Sequence, residues 1–278
     1  MKEKILKMVI PALIFVIFFT IVINVFNRKA SSGGGKVTYT KEGKYVLNFS
    51  ENFKKGLATE DNLGLSILLV ADCSGSMYDP PKDRSSVDAK YIVASQSLTE
   101  IVSFLEDFYN KSLKDEGILL KLGVLKFDDK VETLFELSEM NRDNFKSLKT
   151  LASNPMNFTP DGATAIGKAL EKGAEILSQS QTIFKSLIVI TDGENSSGVD
   201  PEKVLSAIVE DRNNKSTEDF PIFTNSILVS FVGFDIESYV FSDLAKIGSR
   251  VTSASNKSEL IDSLKKIFLA DITKLESK

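Results

Sequence analysis

Four apolar stretches follow residue 64, at residues 65–71, 118–127, 186–191 and 226–232. The first, third and fourth are nearly continuous, which is the pattern of strands buried on both faces of a sheet. The second is interrupted by Lys121 and Lys126. Residues 131–137, which follow it, are predicted to form a short antiparallel strand at the edge of the sheet.

Apolar residues recur at helical spacing between and after these stretches, which predicts amphipathic helices. Strands that alternate with helices predict an α/β fold, a doubly wound, mostly parallel sheet with helices on both faces. The helical stripes consist of Ile92, Leu98, Ile101, Val102, Leu105 and Phe108; Ile166, Leu170, Ala174 and Leu177; Val204, Ala207 and Ile208; and Leu260, Leu264 and Phe268.

The N-terminal part predicts a single transmembrane helix. Residues 8–27 carry no charge, and 20 residues at about 1.5 Å each cover roughly the 30 Å of a bilayer core. Residues 1–29 are therefore interpreted as a tail and an uncleaved anchor. A cleaved signal peptide, with small residues 30–32 as its cleavage site, is the alternative. It is less favoured because the apolar run is long and Arg28 and Lys29 lie close to that site.

The predicted domain order continues with a linker and small β-hairpin at residues 30–62 and an α/β domain at residues 63–278. Lys and Arg near the span number three before it and five after it, a count that favours a cytoplasmic domain. Long domains translocate largely regardless of this charge, and a signal anchor usually leaves its short tail inside. We therefore expect a single-pass protein of the cell membrane with its main domain outside the cytoplasm.

Composition excludes several kinds of chemistry. Histidine is absent, which removes Ser-His-Asp and Cys-His catalytic sites and every zinc site with a His ligand. The net charge of −4 argues against nucleic acid as a partner, because phosphate binding needs a basic surface. Cys73 is the only cysteine, so no intramolecular disulfide forms, and it is interpreted as a small buried residue.

Oxygen-bearing side chains mark three separate places in the chain. Two predicted strands end in Asp72 and Asp192, and residues 159–167 open a helix and contain Thr164. Ser74 and Ser76 follow Asp72 at alternate positions, so the three side chains can face one side of a turn. Ligands of such sheets bind at the carboxyl ends of the strands, which brings the three places together.

These five residues offer only oxygen ligands, as Mg²⁺ and related hard cations prefer. We expect Mg²⁺, or Mn²⁺ or Ca²⁺, to bind Asp72, Ser74, Ser76, Thr164 and Asp192. If the hydroxyls bind directly and the aspartates through water, the ion keeps much of its charge, and a partner's carboxylate becomes the favoured sixth ligand. Asp161 and Glu194 are expected to support these ligands rather than to bind the ion.

The segments "DCSGSM", "GATAIGKAL" and "IVITDGE" occur in this order and resemble the von Willebrand factor type A domain of bacterial proteins. The family's metal-ion-dependent adhesion site combines a D-x-S-x-S motif with a distant Thr and a distant Asp. All five positions match this sequence, and the resemblance covers about residues 63–268. It implies a doubly wound sheet, a divalent cation and a protein partner. Residues 78–88 depart from the many relatives in which a helix follows directly, and are expected to shape partner selectivity.

Ordinary structural roles remain open for single residues. Thr164 or Asp161 could cap the following helix, and the segments after Asp72 and Asp192 could be turns. Residues 162–169 also fit G-x-x-x-x-G-K, but Ala169 replaces the Ser or Thr of a phosphate-binding loop and no strand precedes it. We therefore expect no nucleotide.

Three functions are compatible with the sequence. The favoured hypothesis is a membrane-anchored, cation-dependent module that binds a protein and is not an enzyme. The alternative is an assembly subunit of an ATPase-linked or chaperone-linked complex, which a cytoplasmic orientation would suit. A hydrolase that uses paired carboxylates is the third.

Overall fold

The computed structural model describes residues 45–47, 49–56, 64–84, 86–213 and 227–273. Six strands and six α-helices occur within these residues. The strands are β1 (Gly64–Asp72), β2 (Leu119–Phe127), β3 (Val131–Glu139), β4 (Phe184–Thr191), β5 (Ile227–Phe234) and β6 (Arg250–Ala254). The helices are α1 (Lys90–Phe108), α2 (Arg142–Ala152), α3 (Ile166–Gln179), α4 (Pro201–Asn213), α5 (Ser242–Ile247) and α6 (Lys257–Thr273).

The strands form a single six-stranded sheet in the order β3-β2-β1-β4-β5-β6. Every neighbouring pair is parallel except β2 and β3, which are antiparallel. All nine residues of β1 are buried, as expected for a central strand covered on both faces. No residue of β3 is fully buried, as expected for a strand at the sheet edge. The predicted α/β class and antiparallel edge strand are thus confirmed.

Helices cover both faces of the sheet. Leu68 and Val70 of β1 belong to one apolar cluster with residues of α3, α4 and α5. Crossovers between parallel strands are right-handed. Helix α1 connects β1 to β2, and this step across the sheet runs opposite to the step from β4 to β5 that α4 connects. Helix α1 therefore lies on the other face of the sheet. Helix α6 lies beside α1, because Lys257 Nζ is 2.7 Å from Glu100 Oε1 and Lys265 Nζ is 5.4 Å from the centre of the Phe104 ring.

The chain reverses its direction along the sheet between β1 and β4. From β1 it passes to β2 and β3 on one side, and it then returns to β4, β5 and β6 on the other. The two strands at this switch point end next to each other, because Ala71 pairs with Ile190. Asp72 is the last residue of β1, and Asp192 directly follows Thr191, the last residue of β4. The topology therefore places both carboxylates where open α/β sheets bind ligands.

An extended segment before β1 packs along α3. The Tyr45 hydroxyl donates to Glu171 Oε1 at 2.8 Å, and the Ser50 amide donates to Glu175 Oε1 at 2.9 Å. Gly56 closes this contact, since its amide donates to Ser178 O at 2.9 Å. Residues 45–47 and 49–56 thus run beside the helix that follows Thr164. They contain no strand, so the described part of the predicted hairpin lacks regular β-structure.

The predicted membrane span, residues 8–27, lies outside the described residues, and so does most of the predicted linker. Among the described helices, none combines the length and the apolar character that crossing a bilayer requires. Thr40–Ile267 forms one compact unit, and all described strands and helices α1 to α5 belong to it.

Candidate cation-binding site

Three loops meet at the switch point. The Gly75 amide after β1 donates to Gly162 O at 3.1 Å, which joins the first loop to residues 159–165. The Ser196 amide after β4 donates to Thr164 O at 2.8 Å, and the Thr164 amide donates to Ser196 Oγ at 2.9 Å. The three oxygen-rich places predicted from the sequence therefore form one site.

Asp72 lies at the base of the site, with 1% of its surface exposed. Its Oδ1 accepts from the Ser74 amide at 2.7 Å, and its Oδ2 accepts from the Thr191 hydroxyl at 2.5 Å. Burial raises the pKa of Asp72 to about 6, although the hydrogen bonds from Thr191 and Ser74 act to lower it. A nearby cation would favour the ionised form of this carboxyl group.

Ser74, Ser76 and Asp192 form a continuous run of hydrogen-bonded oxygens. The Ser74 and Ser76 hydroxyl oxygens are 3.2 Å apart, and the Ser76 hydroxyl donates to Asp192 Oδ1 at 2.7 Å. The short 3-10 helix Gly75–Tyr78 turns the chain here, so that Ser76 reaches across from the end of β1 to the end of β4. Four of the five predicted ligands are therefore linked through direct contacts.

Thr164, the fifth predicted ligand, lies beside this run and is 7% exposed. Its Oγ1 is 3.8 Å from the point that a Cβ on Gly193 would occupy, which places the hydroxyl next to the Asp192–Gly193 peptide. The N-cap of α3 is Ala165, which has no side-chain cap. The alternative that Thr164 or Asp161 caps α3 is therefore wrong.

Asp161 and Glu194 are both exposed. The Asp161 amide donates to Cys73 O at 2.7 Å, while its Oδ1 accepts from the next amide, Gly162 N, at 2.8 Å. Glu194 lines a cleft of about 300 Å³ with Asn195, Asp200 and residues before and in α5. Asp161 thus joins two loops through its main chain, and Glu194 faces a neighbouring cleft.

Two charged residues at the site, Lys90 and Asp235, and one hydroxyl, that of Thr191, were not predicted from the sequence. Lys90, the first residue of α1, is 5% exposed, and its Nζ is 2.6 Å from Asp192 Oδ2 and 3.6 Å from Asp235 Oδ2. Thr191, which supports Asp72, immediately precedes Asp192 in the sequence. For Lys90, the available signal was a lysine in the first turn of a helix, where the helix dipole disfavours a positive charge.

The donor set fits a hard divalent cation. Within the described ranges, no group of three or more His, Cys, Asp or Glu side chains forms a metal site. Any ion here would depend on serine and threonine hydroxyls beside two carboxylates, which are ligands that Mg²⁺ accepts together with waters. Asp192 Oδ2 is buried and has no hydrogen bond of good geometry, although Lys90 pairs with it. This oxygen faces Lys90, whereas Oδ1, which accepts from the Ser76 hydroxyl, faces the other predicted ligands.

Cys73, between Asp72 and Ser74, is 1% exposed. Burial, followed by the nearby charge of Asp72, raises the pKa of its thiol to about 12. The interpretation of Cys73 as a buried filler is confirmed. Residues 155–158, before the G-x-x-x-x-G-K match, form a 3-10 helix rather than a strand, so the context of a phosphate-binding loop is missing.

The fold and the site together define a class of protein: an open α/β domain with an oxygen-lined site at its switch point. Residues 67–194 match the family model of the von Willebrand factor type A domain, and this part of the chain is therefore a domain of that type. The comparison with curated proteins gives no significant match.

Solved structures share the fold at low sequence identity. BatB from Bacteroides thetaiotaomicron is 17% identical, with a TM-score of 0.53 over 77% of this chain and 100% of that chain. An aerotolerance-related membrane protein from Bacteroides fragilis is 18% identical, with a TM-score of 0.51 over 76% and 100%. The PilB minor pilin from Streptococcus sanguinis is 14% identical, with a TM-score of 0.56 over 78% of this chain and 63% of that chain.

Proposed function

We propose that this protein is a membrane-anchored module that binds a protein partner through a divalent cation. The observation that carries this proposal is the hydrogen-bonded run of Asp72, Ser74, Ser76 and Asp192 at the switch point of the sheet. These residues and Thr164 would hold Mg²⁺, or Mn²⁺ or Ca²⁺, and an Asp or Glu carboxylate of the partner would complete the ion's coordination. The protein acts by binding rather than as an enzyme.

The residues of the proposed site have different roles in binding. Asp72 is fixed from two sides by Thr191 and Ser74, so its carboxylate is oriented before any ion arrives. Ser74 is buried beside Asp72, whereas Ser76 is exposed and lies at the open end of the site. A bound cation would supply a concentrated positive charge at the open end of the site, which attracts a carboxylate from outside.

Exposed apolar side chains lie in the loops around the site. Tyr78 and Val87, in the loop after β1, are 53% and 98% exposed, and Tyr239, after β5, is 74% exposed. Met156, 69% exposed, comes shortly before the loop that carries Thr164. Aromatic residues and methionine are enriched in protein interfaces. This composition supports a protein surface, rather than a small molecule, as the ligand.

The comparisons are compatible with this proposal. Domains of this family generally mediate protein–protein interactions, and the similar structures include a minor pilin and a membrane protein. The uncharged residues 8–27 support attachment to the cell membrane. We place the domain on the outer side of that membrane, and protease protection in intact cells tests this orientation.

Capture of partners with and without cation tests the proposed function. We expect the purified chain to retain partner proteins from a membrane extract in Mg²⁺ and to release them in chelator. Thr164→Val keeps the shape of the side chain but removes its hydroxyl, and we expect it to weaken the cation-dependent fraction. Mass spectrometry of the retained proteins provides the measurement. Retention that is equal with Mg²⁺ and with chelator would exclude a cation-dependent function.

Tyr78 should contribute to partner binding but not to cation affinity. Its ring is half exposed and packs edge-on against Tyr91 at 5.7 Å, so it forms part of the loop surface and supplies no ligand. We expect Tyr78→Ala to weaken capture of the partner while Mg²⁺ titration is unchanged. Val46→Ala, which shortens an exposed apolar side chain in the segment beside α3, is the matched control. An equal loss of partner and cation binding would contradict this assignment.

A further inference from the structure

Lys90 forms a buried bridge between two carboxylates. Its ammonium is 2.6 Å from Asp192 Oδ2 and 3.6 Å from Asp235 Oδ2, and all three side chains are at most 6% exposed. Neither Oδ2 atom has a hydrogen bond of good geometry. The Lys90 ammonium is therefore the positive charge that the structure places against both oxygens.

Asp235 is held firmly on the far side of this bridge. Its Oδ1 accepts from the Lys82 amide at 3.0 Å, and its main-chain oxygen accepts from Lys82 Nζ at 2.9 Å. Its amide donates to Ala254 O at 2.8 Å, and its φ of 61° lies in the left-handed region, which Asp tolerates better than most residues. The second carboxylate of the bridge is thus fixed independently of the cation site.

The two carboxylate oxygens of Asp192 have different partners. Oδ1 faces the site and accepts from Ser76, whereas Oδ2 faces Lys90. A divalent ion at Oδ1 would therefore lie close to a resident positive charge. Repulsion between two such positive charges is screened only weakly in a buried environment. Lys90 reduces the negative charge available to the ion without removing a ligand.

We propose that Lys90 is a positioning residue that fixes Asp192 in a single orientation and sets a low intrinsic affinity of the site for divalent cations. This inference rests on the proposed function, because it assumes that Asp192 is a cation ligand. It assigns to a lysine outside the ligand set the control of how tightly the ion binds in the absence of a partner. A weakly held ion keeps more charge for the partner's carboxylate.

Two variants test this role with Mn²⁺ or Mg²⁺ alone as the probe. Lys90→Met removes the ammonium but leaves two buried carboxylates without a counter-charge, so we expect a lower melting temperature in chelator that added Mn²⁺ restores. Lys90→Met combined with Asp235→Asn removes both charges of the bridge that are not on proposed ligands. This double variant keeps the test usable if Lys90→Met alone does not fold. Isothermal titration of the full chain measures the dissociation constant.

Because both variants lack the positive charge beside the ion, we expect them to bind Mn²⁺ about 10-fold to 100-fold more tightly than the wild type, which is the size, with the opposite sign, of the affinity losses seen when residues that support metal ligands are replaced. Lys90→Arg keeps the charge and should bind Mn²⁺ as the wild type does. Lys111→Met removes an exposed charge just after α1, where Lys111 pairs with Asp107, and controls for net charge. It should leave the affinity unchanged.

The outcomes separate the two proposals. If the wild type binds Mn²⁺ and the double variant binds it equally well, Lys90 has only a structural role and the inference is overturned, while the proposed function stands. If neither protein binds Mn²⁺ or Mg²⁺, the proposed function fails and this inference fails with it. Binding that is measurable only in the two variants without the ammonium would support the inference directly.

Discussion

Asp72→Asn should abolish the stabilisation of the protein by Mg²⁺. A ligand that binds only the folded state contributes about 2.7 kcal/mol when its free concentration is about 100-fold above Kd. The amide cannot supply the charge of Asp72, so we expect almost none of this gain in the variant. Melting curves of both proteins, with Mg²⁺ and with chelator, measure the effect. An identical Mg²⁺ shift in the variant would show that Asp72 is not a ligand.

The same substitution should not destabilise the protein in chelator. The amide oxygen can still accept from the Ser74 amide, and the Thr191 hydroxyl can turn to donate to Gly193 O, 3.1 Å away. The variant thus keeps its hydrogen bonds and loses only a buried charge. A cation-free melting temperature well below that of the wild type would indicate that Asp72 stabilises the fold itself.

The pH dependence of stability gives an independent check. Burial raises the pKa of Asp72 from 3.8 to about 6 in the folded protein, so folding favours its protonated form. The resulting stabilisation is fully present below pH 3.8 and is lost as the pH rises through about 6. At about 1.4 kcal/mol for each pH unit between these values, the loss is about 3 kcal/mol. In chelator, we therefore expect the wild type to lose stability relative to Asp72→Asn between pH 4 and pH 7.

Gly167→Ala should destabilise the protein strongly, although alanine is normally favoured in helices. Gly167 lies in the first turn of α3, and a Cβ there would be 2.0 Å from Val199 O. The helix preference for Ala over Gly amounts to only about 1 kcal/mol. Overpacking typically costs about 1–3 kcal/mol and sometimes more, and here the obstacle is backbone, which cannot rotate away. We expect a net loss of about 2 kcal/mol in denaturant unfolding.

The added methyl group of Gly167→Ala would displace Val199 and the loop that connects Asp192 to α4. The Ser196 amide of this loop donates a hydrogen bond to Thr164 O. We therefore expect Gly167→Ala also to weaken the Mg²⁺ response. Gly193→Ala is the matched control, because its methyl group would have Thr164 Oγ1 at 3.8 Å as its nearest neighbour. Equal stability of the two variants would show that the contact between α3 and Val199 relaxes without cost.

The sequence predicted the centre of the fold better than its periphery. The strands β1, β4 and β5 are buried on both faces, and such strands carry a long apolar signal. Helix α2 was missed because Phe145, Leu148 and Ala152 alone carry its buried stripe, although Asn141 caps it with hydrogen bonds to two amides. Strand β6 has five residues, of which only Ala254 is fully buried, so its apolar pattern was too short to recognise.

The candidate site was predictable only as far as its motifs extend. Asp72 ends β1 and Asp192 follows β4, and these two strands pair in the sheet, so strand order alone brings the two residues together. Lys90 and Asp235 are 145 residues apart in the chain. Their meeting depends on how α1 begins and how β5 ends, which no local pattern encodes. The ion pairs around the site could therefore be identified only from the three-dimensional structure.

The burial of Cys73 has a kinetic consequence. Its amide donates to Phe127 O and its carbonyl accepts from Asp161 N, each at 2.7 Å, so hydrogen bonds tie the main chain of this buried residue to the neighbouring loops of the site. A thiol with a pKa of about 12 hardly forms thiolate at neutral pH, and a reagent reaches it only when these loops part. Because the chain has no other cysteine, the alkylation rate of the unmodified protein measures how often the site opens.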